Sequence, residues 1–189
     1  MNRNRFLITV GALILLSNVY SQTWNNSIFE KGLIILKNKD TIKCWVPLSS
    51  DYGKIIDYKL LNDDNLKKIQ SNLIQRLVTP YNIYENITIG KKEKFMRLLS
   101  QGTISLYVEY NSMGPIPKPE VEGFKSTSYR TTKTFVIKKD NEVAIISDLN
   151  SLFSYINDCQ SLIDKLNKKL YQFKDMETII NEYNKCLRQ

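Results

Sequence analysis

Three cysteines and nineteen carboxylates are the first side chains to weigh for chemistry in this 189-residue chain, because it contains no histidine. Without imidazole there is no Ser-His-Asp or Cys-His nucleophilic pair, no His-bearing zinc, copper or non-haem iron site, and no ring that titrates near neutral pH. The seven glycines are too widely spaced for a phosphate-cradling loop. Ser-x-x-Lys and Cys-x-x-Cys are both absent. No cofactor-binding or metal-ligating pattern remains. The one reaction class left open needs carboxylates alone, as in glycoside hydrolysis, where two acids flank the scissile bond. Asp57, Glu109 and Glu142 are candidates for it, although sequence alone does not pair them and most acids on such a chain are surface charge.

The cysteines are more informative than the acids. Cys44 lies in an alternating apolar run, with Ile42 and Val46 on its face, and reads as a buried core thiol. Cys159 stands at the start of one amphipathic helical stretch and Cys186 near the end of the next. If the turn around Phe173–Asp175 makes the two helices antiparallel, each ~16–18 Å long at 1.5 Å per residue, both cysteines return to the same end of the pair. A Cys159–Cys186 disulfide is therefore expected, closing a loop that fits an oxidising compartment.

The first residues point to that compartment. Arg3 and Arg5 precede the apolar run Phe6–Leu16, and Val19-Tyr20-Ser21 supplies small residues for cleavage between Ser21 and Gln22. Such a run covers only about half of the ~30 Å hydrocarbon layer, so residues 1–21 read as a cleaved signal peptide, with a retained N-terminal anchor as the weaker reading. No later segment is long and apolar enough to span a membrane. The expected organisation is one exported domain over 22–189, β-rich over 32–146 and helical over 148–188.

The elements that position these residues follow from turn chemistry and period. A hairpin is expected from Gly32 to Val46 across Asn38-Lys39-Asp40. A strand over Lys54–Leu61 leads into the turn Asn62–Asn65 and a short run at Leu66–Ile69. Asn72–Val78 reads as either helix or strand. Strands follow over Tyr81–Ile89, Lys94–Leu99 and Thr103–Tyr110, the last alternating cleanly. Asn111–Ser128 carries Pro115, Pro117 and Pro119 and reads as a long loop, either mobile or partner-contacting. A last hairpin joins Thr131–Lys139 to Glu142–Ile146. Beyond Ser147 the period becomes helical in three pieces, with Ser161 and Asp175 as candidate caps for the second and third. The chain is thus an α+β protein, an antiparallel sheet or partly closed barrel of about seven strands followed by C-terminal amphipathic helices. A helical C-terminus also argues against an outer-membrane barrel, which closes with a terminal strand.

Charge says little about partners. After residues 1–21 are removed, 25 Lys plus Arg stand against 19 Asp plus Glu, a net +6. The lysines are spread along the chain and not clustered with arginines and aromatics, which argues against a nucleic-acid groove. An envelope protein or an anionic glycan is the kind of partner left, and the tyrosines with Trp24 and Trp45 could serve such a surface.

Three stretches taken together are familiar: Gly32–Lys43, Leu98–Tyr107, and Asn157–Cys159 with Glu182–Cys186. They resemble a loosely defined set of small exported proteins of Bacteroidota-type bacteria. In that set a signal peptide precedes a Gly-x-Ile … Gly-Asp-Thr-Ile hairpin, a Gly-x-x-x-Leu-Tyr strand and a Cys-bearing helical end. Here Asn38-Lys39 stands where a glycine is usual before Asp40. The resemblance implies a compartment and an architecture and supplies no catalytic residues. On these grounds the expected function is that of a non-enzymatic exported binding or structural module, with a carboxylate-dependent glycan hydrolase as the alternative.

Overall fold

A computed structural model describes residues 28–49, 52–117 and 127–186. The expected signal segment 1–21 and its expected cut between Ser21 and Gln22, together with Trp24, Leu187 and the middle of the 111–128 stretch, lie outside the described residues. Ten strands follow one another: β1 (Phe29–Leu36), β2 (Thr41–Pro47), β3 (Ile55–Leu60), β4 (Asp63–Gln70), β5 (Ile74–Val78), β6 (Ile83–Ile89), β7 (Lys92–Ser100), β8 (Ile104–Pro117), β9 (Thr127–Lys139) and β10 (Glu142–Ile146). Three helices complete the chain: α1 (Leu149–Ile156), α2 (Gln160–Asn167) and α3 (Met176–Cys186). The strands form one antiparallel sheet in the order β10-β9-β8-β7-β6-β5-β1-β2-β3-β4. The α+β class holds, but the strand number exceeds seven and the sheet is open, with β10 and β4 at its two edges.

The undercount has physical causes. Asp63-Asp64-Asn65 carries turn-forming residues, yet it begins β4, an edge strand whose side chains are mostly exposed apart from the partly buried Asp63, Lys67 and Ile69, and Asp63 pairs with Lys67 at 3.1 Å. Charges on an edge strand also keep it from pairing with other chains. Asn72–Val78 divides into a short 3-10 turn over Ser71–Leu73 and the five-residue β5. The proline-bearing stretch is strand as well. Pro115 lies opposite Tyr129 and Pro117 opposite Thr127, while β7 bonds β8 only over Leu106–Val108. Residues two apart turn their backbone nitrogens to the same side of a strand, so these two prolines sit on the unpaired edge, where a missing N–H costs no ladder bond.

Register explains where the core sits. One row of neighbours crosses the sheet as Ile42, Ile34, Leu77, Tyr84, Arg97, Val108, Phe135 and Ile146. The helices cover the Val108–Ile146 end of that face, where Leu106, Ile137, Leu152, Leu162, Ile179 and Tyr183 join one cluster. At the other end the sheet curls over itself, and Ile34, Cys44, Val46, Ile56, Leu77 and Tyr84 form a second cluster. The opposite face buries Ile87, Met96, Tyr107 and Val136, with Val143 of β10 packed against them. The sheet therefore bends one way in its first half and the other way in its second.

Turns and caps follow local chemistry. The β1–β2 turn places Lys39 at φ 73°, the left-handed position a glycine would take more readily, and the Asn38 side chain accepts from the Asp40 N–H at 3.0 Å. Asp148 and Ser151 cap α1 reciprocally. Ser161 does not cap α2, since Cys159 occupies that position, and Asp175 accepts from the Gln172 N–H at the start of the 3-10 turn ahead of α3. Helix α2 stops at Asn167, so it is shorter than expected and Leu170 is solvent-exposed. Lys169, at φ 57°, ends it, with the Leu170 N–H reaching back to the Lys165 carbonyl.

Helix α3 is fixed to the sheet by one buried amide. The Asn184 Oδ1 accepts from the Ile104 N–H at 2.9 Å, and its Nδ2 donates to the Ile104 carbonyl at 2.8 Å and to Ser100 Oγ at 3.3 Å. Ser100 Oγ in turn donates to Asn181 at 2.7 Å. The amide lies so close to the β7–β8 turn that a Cβ on Gly102 would fall 2.4 Å from Asn184 Cγ. Asn184→Ala leaves both backbone groups of buried Ile104 short of a partner, so a loss of about 2–3 kcal/mol is expected in urea melts. Gly102→Ala should cost a similar amount, and the double variant little more than Asn184→Ala alone, because the clash disappears with the amide.

Candidate functional site

The carboxylates proposed for hydrolysis do not converge. Asp57 on β3 faces Lys68 at 4.0 Å, Glu109 on β8 pairs with Lys94 at 2.5 Å, and Glu142 on β10 accepts from the Tyr155 hydroxyl at 2.7 Å. Glu109 and Glu142 thus have close partners of their own, whereas the Asp57 Oδ1 is buried without a hydrogen-bond donor. Among the described residues no group of three His, Cys, Asp or Glu side chains could hold a metal ion. Trp45 is half-buried on β2 with Lys31 over its ring at 5.6 Å.

The two C-terminal cysteines do come together. Cys159 caps α2, Cys186 ends α3, and their Sγ atoms lie 2.20 Å apart with the Cα atoms at 6.3 Å. Beside them a polar network ties the helices to β9. Lys139 Nζ donates to the Tyr183 hydroxyl at 2.7 Å and to the Tyr155 carbonyl at 2.8 Å, and Tyr183 donates to Asp158 at 3.0 Å. Partial burial pushes the Asp158 carboxyl up, but the bonds from Tyr183 and Lys139 outweigh it and hold the group below its ordinary range. Each polar member has a partner inside the network, so it reads as a structural latch. Sequence periodicity places Tyr183 in the core but gives no sign of Lys139 beneath it.

Cys44 is the remaining thiol. It is fully buried, its Sγ lies 3.7 Å from the Gly32 carbonyl, and burial pushes its pKa up to about 11. That is the environment of an inert core thiol. Glu30 on β1 is less easily accommodated. Both of its carboxylate oxygens are buried without a hydrogen-bond donor, next to Tyr52, whose phenol is pushed up by burial first and then by its neighbours.

The feature best placed to meet another molecule is an arm formed by β8 and β9. Over 109–117 and 127–134 these strands pair only with each other, since β7 leaves β8 beyond Val108 and β10 leaves β9 beyond Phe135. Nine residues at ~3.4 Å each carry the arm ~30 Å past the sheet. Its root is braced: Arg97 and Lys133 lie 5.7 and 5.6 Å from the Tyr110 ring, and Asn111 donates to Thr134 at 3.2 Å. The sequence reads this stretch as a long loop, either mobile or partner-contacting, because its prolines conceal the ladder.

Two substitutions test these assignments. Non-reducing peptide mapping should recover Cys159 joined to Cys186, and Cys186→Ser should lower stability by about 3–4 kcal/mol on the chain-entropy account of a loop of 27 residues. Glu30→Gln should raise stability by about 1 kcal/mol, since it removes a buried charge that no donor compensates. Comparison with family models, with curated proteins and with solved structures finds no match to this chain.

Proposed function

We propose that this chain is a non-enzymatic exported protein, a binding or structural module of the cell envelope or the secreted fraction, which meets its partner through the β8–β9 arm. The arm carries the reading: two strands leave the sheet together, are stiffened at the root, and present unpaired backbone along both outer edges. The disulfide-distance pair at Cys159 and Cys186 is consistent with an oxidising compartment, as is the n-region and apolar run of residues 3–16. No helix among the described residues is long and apolar enough to cross a membrane. Of the hydrolase candidates, Glu109 is paired with Lys94 and Glu142 with Tyr155, and Asp57 lies on another strand with Lys68 at 4.0 Å, so the three do not form one carboxylate pair.

The test is a shortened arm. Tyr110 lies opposite Lys133, so an Asn-Gly pair joining them closes a two-residue hairpin in the native register. Full-length protein should appear in the exported fraction with Gln22 as its first residue and cross-link to an envelope component. The shortened variant should be exported and folded, yet lose that cross-link. Retention of the cross-link overturns the role of the arm. A cytoplasmic product with residues 1–21 still attached overturns export.

A further inference from the structure

A second surface lies at the opposite end of the sheet from the helices. The Ser71 N–H donates to the Lys54 carbonyl at 2.9 Å, joining the end of β4 to the start of β3. Asn86 on β6 then donates to the Ser71 carbonyl at 2.6 Å and to the Ile74 carbonyl, which holds this corner against the sheet. Between the corner and the first residues of β7 runs a cleft in two overlapping halves of about 440 and 470 Å³, which share Lys54, Ser71, Glu93 and Phe95. Either half is within the size range of a small-ligand site.

The charges in the cleft do not balance. Glu93 is engaged through both oxygens by Lys37, at 2.6 and 2.7 Å, and Glu109 by Lys94. Lys54 and Lys92 also line it, both exposed, and among the described residues neither has a carboxylate partner. Two ammonium groups are therefore left for a ligand to neutralise. The rest of the lining is of a different kind: the largely buried Phe95, stacked on Tyr84 at 5.9 Å, the exposed side chain of Ile55, and the exposed residues Gln70 and Asn72 with their amides.

Apolar patches suit the C–H face of a sugar ring, amides suit hydroxyl groups that both donate and accept, and lysines suit carboxylates as point charges. We infer that this cleft binds an acidic oligosaccharide, a sugar chain bearing carboxylate groups. A neutral sugar would leave both ammoniums uncompensated. A phosphorylated ligand would gain little, since no arginine fork and no α-helix N-terminus lines the cleft among the described residues, and the Ser71 N–H of the 3-10 turn is already given to Lys54.

The probe is a tetramer of galacturonic acid, titrated calorimetrically into the protein at low ionic strength. Saturable binding is expected, weakened about tenfold when the carboxylates are methyl-esterified and about tenfold by Lys54→Met with Lys92→Met. Lys43→Met with Lys174→Met changes net charge equally, away from the cleft, and should leave the affinity unchanged. Gln70→Ala with Asn72→Ala should weaken the sugar severalfold. The inference is overturned if the tetramer does not bind, if the two lysine pairs behave alike, or if hexaglutamate binds as tightly as the sugar, which would make the site an acidic-peptide site or a general anion surface. Of the arm only Glu109 is argued here, and the variant closed between Tyr110 and Lys133 keeps it, so the arm-shortened variant should bind the sugar normally and the two readings fail separately.

Discussion

The structure depends on a side-chain amide that behaves as a piece of backbone. Asn184 offers Ile104 one donor and one acceptor, as a neighbouring strand would, and so attaches a helix to a sheet at the turn where β7 becomes β8. Ile104 is fully buried, which makes the loss of these bonds costly. The same contact demands the absence of a side chain at Gly102. With Asn184 seated, Tyr183 is brought to Lys139 and Cys186 to Cys159, because all three lie within one turn of the same helix.

That attachment resolves a problem created by the sheet. An open antiparallel sheet with apolar residues on both faces must cover each of them. This one curls over its own first half, lays helices across one face of its second half, and brings β10 against β6 on the other. The helices are short, eight, eight and eleven residues, and would be marginal alone. Burial of Leu152, Leu162, Ile179 and Tyr183 supplies most of their stability, with the polar latch and the paired cysteines fixing their position. The covered half of the sheet is thereby rigid where the arm leaves it, and the cleft at the far end is walled by β3, β4 and β7 instead.

Much of this was legible where one physical signal dominated. Alternation at Ile104–Val108, Cys44 between Ile42 and Val46, and the three-and-four spacing of Ile179, Ile180 and Tyr183 all mark buried positions correctly. It failed where two signals competed. Prolines at 115 and 117 argue against a ladder in general, yet an edge strand tolerates them, and which strands are edges is a property of the whole sheet. Asp63 and Asp64 read as turn for the same reason. The Asn184–Ile104 pairing spans eighty residues and leaves no local trace beyond Gly102, which a turn alone would account for, and Lys54 and Lys92 become neighbours of one cleft only after the sheet has curled.

One pairing in the sheet has a kinetic meaning. Every neighbour in the strand order is also a neighbour in sequence except β1 and β5, which meet along Leu33–Val78 and Ile34–Leu77. The sheet is therefore two meanders joined at a single seam. Strands β1 to β4 can assemble as soon as they emerge during synthesis, and β5 to β10 likewise, each by local hairpins that close quickly. The default error would be for β5 to continue from β4 as a fifth strand of the first meander. The charged β4 and the turn at Ser71–Leu73 oppose that continuation and return the chain to β1. A long chain of strands is thus left with one non-local choice of partner, and its sequence biases that choice at the point where it arises.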